Sequence, residues 1–282
     1  MKKRIALACM IAALVTPAFA ACGDKTSDET QTVLPPEEIA VPVAPPQNDP
    51  VEEEPEITPP EEEQPNDPDD KTPATAKYII TTTDNLNVRS GAGTNYSSLG
   101  TVEKNILMKH VDKTGTWYET RYLGRKAYIH ADYAKIVVLE QGDEKTERII
   151  DEGLNVLGTP YVYGATRLHD GKGNFISGFT EKKFDCSSLM QFMFYRGAGI
   201  LLNMTTRTQI LQGTEVTGEL RRGDLMFFTN ESRKNNTGIE RVGHVALYLG
   251  GNYILHTASD YAKIEQISST RWSYYLGSRR MF

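Results

Sequence analysis

Three residues in the C-terminal part of this 282-residue chain have the types and settings for nucleophilic chemistry: Cys186, His244 and His256. Cys186 lies in Lys183-Phe184-Asp185-Cys186-Ser187-Ser188-Leu189, which opens an apolar periodic run through Leu189, Phe192 and Met193 ending at Gly197. That pattern predicts a helix with Cys186 in its first turn and Asp185 as N-cap. The helix dipole favours a thiolate there, so the position is expected to lower the thiol pKa. A thiol nucleophile needs a proton acceptor, and His244 opens an alternating strand, Gly243 to Leu249, that leads through Gly250-Gly251-Asn252 into a second strand, Tyr253 to His256. If those three residues form the hairpin loop, Ala246 opposes His256, and His244 and His256 share one face as diagonal neighbours. A two-residue loop would put them on opposite faces. On a shared face, His256 can hold the tautomer of His244.

The elements that carry these residues occupy only part of the chain. Met1-Lys2-Lys3-Arg4 followed by the apolar run Ile5 to Phe19 and small residues at Ala20-Ala21 marks residues 1–21 as an export signal, too short to span a bilayer comfortably. Ala18-Phe19-Ala20 suits an ordinary signal peptidase. Phe19-Ala20-Ala21-Cys22 resembles the lipobox of bacterial lipoproteins, with Phe19 where that motif usually has Leu, and implies lipidation of Cys22. Cys9 would leave with the signal, so Cys22 and Cys186 remain and no disulfide framework is expected. Residues 22–75 are rich in Pro, Glu and Asp, cannot bury a core, and form a self-repelling linker. Setting aside a net of about −14 for the linker and about +3 for the signal turns the overall −6 into about +5 for the remainder. No basic stripe interleaved with aromatics is present, so nucleic acid is not an expected partner.

From 76 to 139 short strands alternate with turns: Lys77-Tyr78-Ile79-Ile80, Leu86-Asn87-Val88-Arg89, Ile106-Leu107-Met108, Trp117-Tyr118-Glu119-Thr120 and Ala127-Tyr128-Ile129-His130. With the turn Ser90-Gly91-Ala92-Gly93-Thr94 and the segment Gly115-Thr116-Trp117-Tyr118, this stretch resembles a bacterial SH3 domain. Such a barrel binds wall peptides or shapes access to a neighbouring site, or is a spacer whose Tyr96, Trp117 and Tyr128 are core. The mixed-charge segment up to Arg148 leads into a helical pattern of Ile149, Ile150, Leu154 and Leu157 stopped by Gly158, and a second domain is assigned to 144–282.

Thr159-Pro160-Tyr161-Val162-Tyr163-Gly164, Asp185-Cys186-Ser187-Ser188-Leu189, Gly223-Asp224-Leu225-Met226-Phe227-Phe228 and the two histidine strands, in this order, resemble the NlpC-type cell-wall endopeptidases, a papain-like thiol hydrolase family. The resemblance implies an α+β fold: a papain-like peptidase domain with N-terminal helices packed on an antiparallel sheet, preceded by a small all-β SH3-like barrel. It implies Cys186 as nucleophile, His244 as base and His256 as orienter. It also implies Tyr161 at the reacting carbonyl or its oxyanion, and Asp185, Ser187, Thr206 and Gln209 as substrate contacts. The segment Ala165 to Lys183 is an insertion relative to many relatives, expected to be a mobile flap or a substrate wall, with His169 exposed to solvent. The implied reaction is cleavage of the peptidoglycan stem peptide between D-glutamate, through its γ-carboxyl, and diaminopimelate or lysine. An amidase cutting between muramic acid and L-alanine, or a non-enzymatic wall-binding lipoprotein, are the alternatives. No metal-ligand spacing or phosphate-cradling glycine loop appears, so neither metal nor cofactor is expected. The partners expected are stem peptides and, through Cys22, a membrane; the chain is expected to be a monomer on the outer face of the cell membrane, reaching into the wall.

Overall fold

The computed structural model describes residues 73–282; the expected export signal, Cys22 and the expected linker up to residue 72 lie outside the described residues. Eight strands come first: β1 (Thr75–Thr81), β2 (Leu86–Arg89), β3 (Ser98–Val102), β4 (Ile106–Lys109), β5 (Asp112–Thr114), β6 (Trp117–Tyr122), β7 (Arg125–His130) and β8 (Ala134–Glu140). Helices α1 (Glu144–Asn155), α2 (Cys186–Ala198) and α3 (Thr206–Gln209) precede β9 (Thr214–Glu215), β10 (Leu225–Phe228), β11 (His244–Gly250), β12 (Tyr253–Thr257) and β13 (Ala262–Gln266). Helix α4 (Ser269–Ser273) and strand β14 (Tyr275–Arg280) complete the chain. The fold is α+β with antiparallel sheets, as expected.

The strands form a nine-stranded sheet in the order β8-β1-β4-β13-β12-β11-β10-β14-β9 and a five-stranded sheet in the order β3-β2-β7-β6-β5. The larger sheet crosses from the first region into the second. Strand β4 pairs with β13 through Ile264↔Leu107 and Glu265↔Ile106, so the expected barrel is continuous with the peptidase-like sheet rather than a separate bead. The physical reason lies in Ile106-Leu107-Met108. Successive side chains of a strand point to opposite faces. Ile106 and Met108 enter a core with Val88, Val102 and Ile129, whereas Leu107 enters the other core with Leu255 and Ile264. Tyr78 and Ile79 of β1 divide in the same way. A strand with two apolar faces leaves neither for water, and the second face recruits the rest of the chain.

Asp143 caps α1, its carboxylate accepting from the Thr146 N–H at 2.8 Å, and Ile149, Ile150 and Leu154 bury one face. The mixed-charge segment before Ile149 therefore forms the first turn of the helix. Helix α2 is buried nearly throughout, between α1 and strands β11 and β12. Gly197 does not end α2, as the sequence pattern suggested. It sits where α1 crosses, and a Cβ there would lie 2.5 Å from Ile149 Cα. The helix stops one residue after it, with Gly199 at φ 67° as the left-handed cap.

Candidate active site

The position of the thiol follows from capping chemistry. The Asp185 carboxylate accepts from the Ser188 N–H at 2.8 Å while the Ser188 hydroxyl accepts from the Asp185 N–H at 2.9 Å. This reciprocal box makes Cys186 the first residue of α2. The backbone N–H groups of Val245 and Ser187 reach the sulfur. Even so, burial and the Asp185 carboxylate beside it push the thiol up to about 12, which reverses the expected lowering. Cys186 is only 8% exposed, and desolvation of a thiolate outweighs the helix end and the nearby Arg167 guanidinium.

The two histidines meet. His244 Nε2 lies 2.9 Å from His256 Nδ1, with the rings edge to face at 5.1 Å. The hairpin reaches this by a different route from the one anticipated. Gly250 opposes Tyr253, which leaves the two-residue turn Gly251-Asn252 with φ 56° and 67°, the left-handed pair that a tight hairpin requires. A bulge between Tyr248 and Gly250 absorbs the extra residue and restores Leu247↔Leu255, which continued by one position sets Ala246 opposite His256. The parity survives because the bulge and the shorter turn cancel. Burial, helped by His256 and Arg271, holds His244 well below the usual imidazole range, and burial also lowers His256.

A further carboxylate completes the chain of contacts. Glu265 Oε1 lies 3.0 Å from His256 Nε2 and also accepts from Arg271 at 3.1 Å, while Lys263 approaches its other oxygen at 3.4 Å. Glu265 is not among the site residues expected from the sequence. Its signal was parity: β12 pairs with β13 with His256 opposite Lys263, so Glu265, two residues on, shares the histidine face.

Cys186, Tyr161 and Gly243 are common to two adjoining cavities, so the thiol sits at the waist of a cleft. One side, about 320 Å³, also contains His244, Asn230 and Arg271. The other, about 150 Å³, contains Arg167, Asp185, Ser187, Thr206 and Arg207. Tyr161 is held by its N–H to the Asp260 carbonyl at 2.8 Å and by a bridge to Phe184. Burial, then Cys186 and Asp185, raise its phenol, so the hydroxyl keeps its proton and can donate.

The remaining residues named from the sequence divide. Thr206 and Ser187 face the smaller cavity. Asp185 lines it too, but its two oxygens already accept from Ser188 N–H, the Ser187 hydroxyl, the Gly164 N–H and the Arg167 guanidinium. Gln209 is fully buried and donates to the carbonyls of Ser187 at 3.0 Å and Asn203 at 2.9 Å. It braces the start of α2 from behind and is absent from the cleft wall. His169 is likewise fully buried, contrary to the solvent exposure expected for it. Its Nδ1 accepts from the Gly171 N–H at 3.0 Å and its ring packs 5.3 Å from that of Tyr195, because the insertion folds back onto α2. The insertion sends Arg167 into the cleft, bonded to Asp185 and to the Ser187 hydroxyl at 2.8 Å.

A thiol at the start of a buried helix, facing histidines on an antiparallel sheet, defines the papain-like class of thiol-hydrolase folds. Residues 158–281 match the model of the NlpC/P60 family and residues 84–135 that of the bacterial SH3 domain. It is similar to the γ-DL-glutamyl hydrolase of Bacillus subtilis, 27% identical over 184 residues, covering 64% of this chain and 38% of that protein. The peptidoglycan endopeptidase RipA of Mycolicibacterium smegmatis is 29% identical over 138 residues, covering 48% of this chain and 26% of that one. The γ-D-glutamyl-L-lysine dipeptidyl-peptidase of Bacillus subtilis is 31% identical over 139 residues, covering 49% and 40%. The aligned part thus spans well under half the length of each of these relatives.

Proposed function

We propose that this chain is an exported peptidoglycan hydrolase that cleaves a stem-peptide amide, the bond from the γ-carboxyl of D-glutamate to diaminopimelate or lysine. The observation that carries this is the contact of His244 with His256 beside a thiol at the waist of a cleft. Relatives named for γ-glutamyl hydrolysis and for peptidoglycan endopeptidase activity support the choice of bond.

Cys186 and His244 are both held in their neutral forms, so the thiol is deprotonated as it attacks rather than beforehand. His244 takes the proton while the sulfur adds to the carbonyl carbon. The Tyr161 hydroxyl and the Cys186 N–H at the start of α2 stabilise the oxyanion. His244 then returns the proton to the leaving amine, and water, deprotonated by the same imidazole, releases the acyl-enzyme. His256 orients His244 throughout, and Ser187 and Thr206 contact the acyl side of the substrate.

The sequence of the N-terminus supports anchoring by a lipidated Cys22, with the acidic linker carrying the folded part into the wall. Two acyl chains give stable membrane attachment, at about 0.8 kcal/mol per buried methylene. Labelled fatty acid should enter the wild type and not Cys22→Ala.

The test is digestion of defined muropeptides with products identified by mass. A new amine on diaminopimelate or lysine is expected, and none with Cys186→Ala. Release of an intact stem peptide from muramic acid would instead assign an amidase, and no product from the wild type would remove the enzymatic reading.

A further inference from the structure

We infer that Glu265 is a positioning residue of this site, fixing the tautomers of both histidines from a strand that the SH3-like region holds in register. This rests on the assignment of Cys186 and His244 as nucleophile and base. Hydrogen-bond roles alone fix the protons. A carboxylate beside Lys263, Arg271 and a histidine is ionised and can only accept. His256 Nε2, 3.0 Å away, therefore carries a proton. A neutral imidazole has one N–H, so His256 Nδ1 is a lone pair and His244 Nε2, 2.9 Å from it, must be the donor. That leaves the lone pair of His244 on Nδ1, the nitrogen free to take the thiol proton. Each assignment forces the next. When the proton moves from Cys186 Sγ to His244 Nδ1, His256 Nδ1 remains an acceptor for the imidazolium, since Glu265 retains the proton on Nε2.

Without an acceptor at Glu265, His256 can protonate Nδ1 instead. His244 Nε2 would then become the acceptor, its own proton would shift to Nδ1, and the base would present an N–H to the thiol. The register of Glu265 therefore matters as much as its charge. Strand β13 is pinned on one side by β12, with Glu265 opposite Ile254, and on the other by β4, with Glu265 opposite Ile106. A slip by one residue would turn Glu265 to the opposite face of the sheet. In this chain the SH3-like region thus contributes to the site through the backbone ladder, independently of anything it binds.

The test uses the full chain labelled with ¹⁵N-histidine at neutral pH. Long-range ¹H–¹⁵N spectra should find both His244 and His256 as Nε2–H tautomers; His256 as the Nδ1–H form overturns the proposal whatever any variant does. In Glu265→Gln, whose carboxamide can offer either oxygen or N–H to His256, a mixture of tautomers is expected. Its kcat on muropeptide should fall at least about tenfold, a part of the roughly 10²–10⁴-fold that general-base catalysis supplies, with KM within twofold. Alkylation of Cys186 by iodoacetamide should slow in parallel, a readout that needs no substrate. Unchanged tautomers, kcat and alkylation in Glu265→Gln would overturn the inference. Absence of muropeptide turnover by the wild type, with the stated tautomers and slowed alkylation in the variant, would sink the substrate assignment and leave this one standing.

Discussion

Arg222, in the turn ahead of β10, donates to the hydroxyl of Tyr78 on β1 at 2.7 Å, joining the second region to the first strand of the fold. The same guanidinium pairs with Glu147 of α1 at 2.6 and 2.9 Å and donates to the Leu249 carbonyl at 2.7 Å. Its side chain is only 5% exposed, and each of its three nitrogens finds a partner inside the protein.

Removing Arg222 should therefore be costly. Breaking one side of a buried pair typically loses roughly 3–5 kcal/mol, because the partner is left without compensation. Arg222→Ala should show that loss in urea denaturation. A change under about 0.5 kcal/mol, the range of an ordinary surface substitution, would mean the network is relieved by water.

Gly197 allows α1 and α2 to cross at backbone contact. Gly197→Ala places a methyl 2.5 Å from Ile149 Cα and 2.6 Å from its nitrogen, and backbone cannot rotate aside. The helices must separate, at a cost of about 1–3 kcal/mol or more. Because α2 carries Cys186 at its other end, activity at temperatures below the transition should also fall. An unchanged melting temperature in Gly197→Ala would place the crossing elsewhere.

Alkylation reports the resting state of the thiol. With Cys186 pushed up to about 12 by burial and Asp185, iodoacetamide should react slowly at neutral pH and faster as pH rises past the ordinary thiol range. A plateau already reached below pH 7 would instead identify a preformed thiolate–imidazolium pair. Arg167→Ala removes a nearby positive charge and should slow the reaction further.

Acid should destabilise the protein through the same residues that build the site. His244 and His256 are lowered below the value they have when unfolded, so below about pH 6.5 the unfolded chain binds more protons and stability falls with pH. Glu265 is also lowered, chiefly by its contact with His256 and its neighbouring cations against the effect of burial. Its contribution is present above its unfolded value of 4.5 and is lost as pH falls through the acid range. Melting temperature should decline from neutrality downwards and more steeply below about pH 4.5, and Glu265→Gln should lack the steeper part. The acid limb of kcat/KM should lie below pH 6.5, reflecting the lowered His244.

What could be read without coordinates was what depends on neighbours along the chain. Asp185 and Ser188 form a box across one helical turn, so the place of Cys186 at the head of α2 was legible from the residue types alone. The shared face of His244 and His256 was legible from strand periodicity, although the bulge and two-residue turn that produce it were not, since an odd count of residues can be absorbed in either place. The SH3-like strands were evident from their alternation. Their fusion to the second region was hidden, because Ile106-Leu107-Met108 looks the same whether one face or both are buried. Gln209, implied as a substrate contact, and His169, expected to be exposed within the insertion, both lie inside, each drawn in by contacts distant in sequence.

The charge state of the site was decided only by tertiary structure. A helix start by itself favours the thiolate, but the packing of α2 against β11 removes the water that would solvate it, and desolvation is the larger effect. The same packing brings Glu265 to His256 through two strand pairings that no local rule specifies. The chain's order of residues names a thiol and two imidazoles; the enclosure around them sets which atoms hold the protons.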